Sequence, residues 1–478
     1  MKKTISGVLL ALTATCALVA CGKKKDKERK RSGKPNIINF YCWNSEFQER
    51  LNRFYGGQED TTPDETDASK KVWRGKNIDK VNGSTTVLKN GITIQWTTAT
   101  NQGSIYQDTL DIALDNNIVD MFCFEADYAT KYVKSEFVID MATLGVNQGD
   151  QFQYTKDIVT KDGKLVGSSW QACPGVIIYN NAIAEDVFGA GVTTAQMEEK
   201  IGKDYATFKT SAASVKAKNY NMVVGPASIY RLYAQNLSAK MYDGKDTITI
   251  DKSVFEYAVN SKELSGYMAG LTEAYGQWSE NWGKEMSKDG KTLCVFGCPW
   301  FVDFSFKGYR DLKESEGTDS GWRVCKPYKS FFWGGTWLTA TTVSQQEDTI
   351  KGEIGKIISA MTTDKATLKD ITAATKDFTN TKTGMGELKD NEDAYFGNAK
   401  VIAAYLESVK TADMSKSSDF DQQIAEGFQA SFRTYIDGSA KADACWADFV
   451  SNLKDKTSVK NVKAAAGVTI NADGITIA

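Results

Sequence analysis

From Ile37 to Phe124 strand and helix signals alternate, and this alternation leaves few architectures open. Ile37 to Trp43 reads as a strand and Glu46 to Tyr55 as a helix; Gly91 to Thr97 reads as a second strand, Gln107 to Asp115 as a helix, and Ile118 to Phe124 as a third strand. Such an order predicts a mainly parallel α/β sheet with ligand contacts at the carboxyl ends of its strands. Those ends carry Trp43, Asn44 and Glu46 after the first strand and Phe124, Glu125, Asp127 and Tyr128 after the third. Aromatic faces beside carboxylates suit a polyhydroxylated ligand, because a sugar ring stacks on the aromatic while its hydroxyls donate to the carboxylates. The same pattern is compatible with Phe124 in the core and Glu125 in solvent.

Asp162 to Asn181 reads as a break between extended runs. Asp162-Gly163 is a turn dipeptide, and Pro174-Gly175 interrupts the chain before Val176 to Tyr179 resumes as a β-branched strand and a helix follows from Ala182 to Phe188. Pattern alone allows either a hairpin within one sheet or passage into a second lobe. Further on, Tyr220 to Gly225 reads as a strand ending near Tyr230 and Arg231. Glu273 to Trp282 reads as a helix whose Trp278 and Trp282 share a face that packs in the core. Trp322 to Thr342 reads as a return crossing in which Gly334-Gly335 lets backbone approach a ligand or another strand closely. Helices are expected at Lys351 to Met361, Ala394 to Lys410 and Asp419 to Ile436, with another crossing at Asp377 to Met385. Gly189-Ala-Gly191 follows a helix, and Gly290-Lys291-Thr292 lacks a glycine at the right spacing, so neither reads as a phosphate loop.

The first twenty residues pair Lys2-Lys3 with a short apolar run and are built like a secretory signal. Leu18-Val19-Ala20-Cys21 resembles a bacterial lipobox, which makes Cys21 the acylated first residue of a mature, membrane-anchored protein. Residues 21 to 34 then read as a basic disordered tether, with eight Lys or Arg against Asp26 and Glu28 beyond Cys21. The whole chain has 58 basic and 60 acidic residues, but removing Lys2, Lys3 and that tether leaves 48 against 58. So acidic a body argues against nucleic acid and suits a neutral or cationic ligand. There is no histidine, which excludes His-based triads and Cys/His zinc sites. No cofactor, metal site or catalytic residue is expected. Beyond Cys16 and Cys21 seven cysteines remain, an odd number expected to be mostly buried free thiols.

The crossover at Asp162 to Asn181 resembles the first interlobe crossing of the extracellular solute-binding proteins that feed bacterial ABC importers. Three further stretches resemble the maltose-binding branch of that family. Asp120-Met-Phe-Cys-Phe124-Glu-Ala-Asp127 has its aromatic and aspartate spacing, Gly297-Cys298-Pro299-Trp300 looks like its Gly-Pro-Trp loop, and Phe428-Gln-Ala-Ser-Phe-Arg433-Thr434 is similar to its carboxyl-terminal helical motif. Two departures stand out: Gln429 replaces a stacking tryptophan, and Gln171 is the nearest polar residue where the family has a glutamate.

The resemblance implies a two-lobed periplasmic-binding-protein-like fold of type II, with a cleft between lobes joined by about three crossings. Residues 35–175 and 328–382 would form lobe one, and 176–327 and 383–478 lobe two. It also implies a monomer that captures an extracellular carbohydrate and delivers it to a membrane permease driven by a separate ATPase. The ligand site would draw on Trp43, Asn44, Glu46, Phe124, Glu125, Asp127, Trp170, Gln171, Tyr230, Arg231, Trp300, Trp333, Gly334, Gly335, Trp337 and Gln429. Asp127 has a second reading, as a helix N-cap. Two other classes compete: an anchored glycoside hydrolase using Glu125 with Asp127, or either with Glu280, and a purely adhesive surface lipoprotein.

Overall fold

The first strand, Ile37–Cys42, alternates half-buried and buried positions, so Ile38, Phe40 and Cys42 share one face. The following helix, Glu46–Phe54, presents Phe47, Leu51 and Phe54 at helical spacing to that face, and ring contacts of Phe40 with Phe47 and Trp96 join them. The computed structural model describes residues 29–61, 72–101, 104–287, 289–306 and 319–478. The expected leader, Cys21 and the first part of the basic segment lie outside the described residues.

Seven strands form the larger sheet, in the order Ser168–Ser169, Thr336–Ala340, Met121–Glu125, Ile37–Cys42, Thr93–Thr98, Thr85–Leu88 and Ile78–Asn82. Ile37–Cys42 runs parallel to Met121–Glu125 and to Thr93–Thr98, but every other pairing is antiparallel. The sheet is therefore mixed, not mainly parallel. On one side Gly83-Ser84 turns the chain straight back into a hairpin, which can only pair antiparallel strands. On the other, Thr336–Ala340 re-enters from the second lobe running the opposite way.

The smaller sheet has the fully buried strand Val176–Asn180 at its centre, antiparallel to Cys294–Gly297 and to Trp322–Cys325. Helices Tyr205–Ala217, Lys252–Leu264, Asp421–Ile436 and Ala442–Thr457 build out this lobe. Asn461–Ala464 pairs in parallel with Thr247–Ile250, and a last hairpin joins Val468–Asn471 to Gly474–Ile477, none of which the sequence pattern showed. Tyr220 to Gly225 makes only single bridges, Asn221 to Thr292 and Val223 to Met268, instead of the expected strand. The seven described cysteines are all free and buried. No helix among the described residues is long and apolar enough to cross a membrane.

Three chain segments cross between the lobes side by side. Ala172 N–H donates to Phe378 O at 3.1 Å and Asn380 N–H to Trp170 O at 2.8 Å, while Gly175 N–H donates to Phe331 O at 2.7 Å and Trp333 N–H to Cys173 O at 3.1 Å. The first crossing thus pairs with both others. A Cβ on Gly175 would stand 2.2 Å from the Phe331 ring, so the aromatic lies flat on bare backbone there.

The basic segment is not a free tether throughout. Arg31 is nearly buried and makes a fork to Asp120, Nε to Oδ1 at 2.6 Å and Nη2 to Oδ2 at 2.8 Å, with Nη1 on Glu347 at 3.0 Å. Arg29 reaches Glu136 at 2.6 Å and lies over the Phe137 ring. Charge and length alone gave no sign of this, because Asp120 and Glu347 are brought together only by the sheet. Removing the guanidinium would leave the Asp120 carboxylate buried without its cation. Arg31→Ala should therefore lower stability by about 3 to 5 kcal/mol, read from denaturant melts; a loss below about 1 kcal/mol would mean the segment only rests on the surface.

Candidate functional site

Between the lobes lies a cavity of about 680 Å³, within the range of small-ligand sites. Each wall is built from a different kind of element. On the first lobe, Trp43, Asn44 and Glu46 follow the first strand, and Glu125 and Asp127 close the strand Met121–Glu125. The Asn44 side chain accepts from Glu46 N–H at 3.1 Å and so shapes the start of the helix Glu46–Phe54. The floor is formed by the crossings, with Gln171 and the run Trp333 to Thr336. Gln171 Nε2 bridges Glu46 Oε1 at 3.0 Å and Asp377 Oδ2 at 2.9 Å, so one amide ties the first wall to the third crossing.

The second lobe supplies Arg231, Trp278 and Trp300, and one face of the helix Asp421–Ile436. Gln422, Ala425, Glu426 and Gln429 stand at i, i+3, i+4 and i+7 and line the cavity, while Ile424, Phe428 and Phe432 turn the opposite face into the core. Arg231 makes a two-pronged ion pair with Asp127, both contacts at 2.6 Å, that spans from one lobe to the other. Asp127 is therefore neither a helix cap nor a free acceptor. The capping role falls to Glu125, whose Oε2 accepts from Asp127 N–H at 3.2 Å.

Three indoles gather on one side. Trp300 lies 5.1 Å from Trp333 and 6.3 Å from Trp278, and Trp278 lies 5.9 Å from Trp333. Trp300 Nε1 donates to Trp333 O at 2.8 Å, which fixes the ring. Trp278 is the residue that sequence reasoning misplaced. It is 51% exposed and lines the cavity instead of the core, while Trp282 alone of the pair is buried. The expected helix is broken into Glu273–Tyr275 and Glu280–Glu285, and Trp278 sits between them at φ +72°. A bulky residue in that left-handed region is strained, and such strain concentrates at functional sites. Gln277, Thr100, Asn101, Thr336, Gln422 and Glu426 also line the cavity without having been singled out; the polar face of the carboxyl-terminal helix was the signal that could have found two of them.

Four expected site residues are not at the cavity. Phe124 is fully buried and stacks on Trp337 at 6.3 Å, and Trp337 donates from Nε1 to Thr155 O at 2.8 Å. Alternation along Met121–Glu125 sends Phe124 into the core and leaves Glu125 at the strand end. Trp170 packs on Phe47 at 5.1 Å in the first lobe, and Tyr230 is buried edge-on to Tyr257 at 5.0 Å. Glu280 points to solvent and pairs with Lys284 at 2.6 Å, so it offers no second carboxylate to the cavity. Trp43, Asn44, Glu46, Glu125, Asp127, Gln171, Arg231, Trp300, Trp333, Gly334, Gly335 and Gln429 do come together there. No cluster of three or more His, Cys, Asp or Glu among the described residues could hold a metal.

No protein-family model matches the sequence, and no curated protein matches it. Among solved structures, the chain is similar to a crystal structure described as extracellular solute-binding protein family 1, at TM-score 0.63 and 16% identity over 76% of this chain and 92% of the other. The fold is that of the two-lobed solute-binding proteins. An ABC-transporter-associated binding protein from B. animalis subsp. lactis Bl-04, in complex with β-1,6-galactobiose, matches at TM-score 0.60 and 17% identity over 90% of this chain and all of the other. The GacH receptor of Streptomyces glaucescens GLA.O, solved unliganded and with acarbose, matches at 0.60 and 12% over 89% and 100%.

Two expectations follow for the two-lobed fold. Trp278→Ala should leave the melting temperature almost unchanged, because half the ring is already in water, whereas Trp337→Ala should cost about 3 to 5 kcal/mol of stability. Equal losses in thermal melts would place both rings in the core. The second concerns Glu125, whose burial, followed by the nearness of Asp127, pushes its pKa up to about 8 against the opposing pull of Arg231. The folded state then holds a proton that the unfolded state has lost, so this group's contribution to stability declines as pH rises from the ordinary carboxyl range through about 8. Glu125→Gln should therefore raise the melting temperature relative to the parent at pH 8.5, and that advantage should vanish at pH 4.5.

Proposed function

We propose that this protein is the substrate-binding component of an ABC importer, capturing an extracellular carbohydrate and handing it to a membrane permease driven by a separate ATPase. The observation that carries this reading is the interlobe cavity itself, an indole wall on one side faced by carboxylates and amides on the other. A sugar ring presents an apolar face to the indoles and a rim of hydroxyls to Glu46, Glu125 and Glu426. Proteins of the same fold in complex with β-1,6-galactobiose and with cycloalternan support the ligand class.

Capture would work by hinge motion of the lobes about the three crossings. Rim contacts between the lobes are consistent with such closure: Asp127 with Arg231, Lys134 with Asp419 at 2.6 Å, and Gln107 with Gln422 at 2.8 Å. Binding without chemistry is the reading because the carboxylate pairs nominated for a hydrolase are broken up: Asp127, the partner of Glu125, is held by Arg231, and Glu280 lies outside the cavity. Lobe one would comprise residues 35–175 and 328–382, and lobe two 176–327 and 383–478. Acylation of Cys21 would anchor the protein to the outer face of the cell membrane.

A thermal-shift screen of the purified protein against mono- and oligosaccharides tests the proposal. A cognate sugar at 100 times its dissociation constant should stabilise by about 2.7 kcal/mol and be recovered uncleaved. Recovery of hydrolysed product would replace transport with catalysis, and an unmodified Cys21 on the membrane-bound protein, seen by mass spectrometry, would remove the lipid anchor.

A further inference from the structure

We infer that the saccharide held in this cleft carries a protonated amine, its ammonium seated between the Glu125 carboxyl and the wall of Trp278, Trp300 and Trp333; this rests on the function proposed above. The charges lining the cavity are unequal. Glu46, Glu125, Asp127 and Glu426 face one guanidinium, Arg231, and both of its outer nitrogens are engaged by Asp127. Arg231 therefore has little to offer an anionic sugar. Glu46 is compensated by the Gln171 amide at 3.0 Å and by Arg50 at 3.8 Å. Glu125 and Glu426, one from each lobe, have no ion-pair partner among the described residues: Glu125 accepts one backbone N–H, and Glu426 accepts the Gln422 amide at 2.9 Å. Glu426 is exposed at the edge of the cavity, whereas Glu125 is half-buried and keeps a proton where a cation could sit.

The surroundings of Glu125 fit a cation better than a hydroxyl. Its Oε1 faces Gly334, where a Cβ would stand 3.4 Å from that oxygen and 3.5 Å from Trp300 Nε1. The bare, left-handed backbone of Gly334 at φ +67° thus keeps open the space between a carboxylate oxygen and an indole. The edge that Trp300 turns to this space carries its N–H, which Trp333 O takes up at 2.8 Å; a cation is drawn instead to an indole face, within about 6 Å of the ring centroid, and three such rings lie together here. The titratable groups around Glu125 are Asp127 on its own turn, Tyr128 next along the chain, Arg231 from the second lobe and Cys173 from the first crossing. None brings an unpaired positive charge. An arriving ammonium would displace the proton that burial and Asp127 hold on Glu125, and that proton would leave to solvent.

Matched saccharide pairs that differ only by ammonium for hydroxyl at one carbon of each ring test this, using the full chain and calorimetry at pH 6.5. The pairs are glucosamine with glucose, galactosamine with galactose, and β-1,4-linked diglucosamine with cellobiose. The best-bound ammonium member should exceed its hydroxyl partner in affinity by about ten-fold or more, with a binding heat that varies with buffer ionisation enthalpy and so reports the released proton. Glu125→Gln should reduce that preference to below about two-fold; if that variant does not fold, Glu426→Gln should still reduce it. Hydroxyl members binding as tightly as their partners would overturn the inference and leave the carbohydrate reading intact. No stabilisation by any pair, or by any sugar in the wider screen, would overturn both.

Discussion

Ala172 and Gly175, three residues apart on the first crossing, donate backbone hydrogen bonds to Phe378 and Phe331 on the other two, and the cleft depends on that arrangement. Buried amides must find partners, and here each crossing satisfies its neighbour. The fit of the Phe331 ring on Gly175 draws the strands close, and Gln171 extends the seam to Glu46 and Asp377. Hinge motion at such a seam would move the walls of the cavity relative to one another while the floor stays in place.

The charge arrangement follows from this geometry. Asp127 and Arg231 lie on opposite lobes and meet across the cleft, with each side chain about one-fifth exposed. A pair that is partly desolvated couples lobe position to electrostatics more strongly than one in open solvent, where pairs are worth about 0 to 1 kcal/mol. Arg31 plays a comparable role at the far end of the first sheet. It fastens the chain entering the first strand to Asp120 at the start of the strand Met121–Glu125, and to Glu347 just before the helix Asp348–Thr362.

The aromatic residues divide by where the backbone releases them. Phe124, Trp170 and Trp337 belong to strands or their immediate ends and alternate into the cores, with ring neighbours and, for Trp337, a satisfied N–H. Trp43, Trp278 and Trp300 follow strand ends or interrupt helices, where no repeating geometry buries them. Trp333 lies between, stacked on Phe301 at 5.7 Å yet still bordering the cavity.

Much of the fold was legible in the order of residues. The alternation from Ile37 to Phe124, the Pro174-Gly175 break and the Gly334-Gly335 pair are local patterns, and local patterns suffice to set strands, helices and chain reversals. They also placed Trp43, Glu46, Glu125 and Gln171 at strand ends and crossings, where the cavity formed. Strand direction at the sheet edges, the docking of Arg31 on Asp120, and the pairing of Asp127 with Arg231 were decided only by the tertiary structure, because each joins residues at least 89 positions apart or turns on a chain reversal. Trp278 shows the same limit at one residue. Its spacing from Trp282 reads as a helical face, and only the packing around the broken helix holds its backbone left-handed and turns the ring to the cleft.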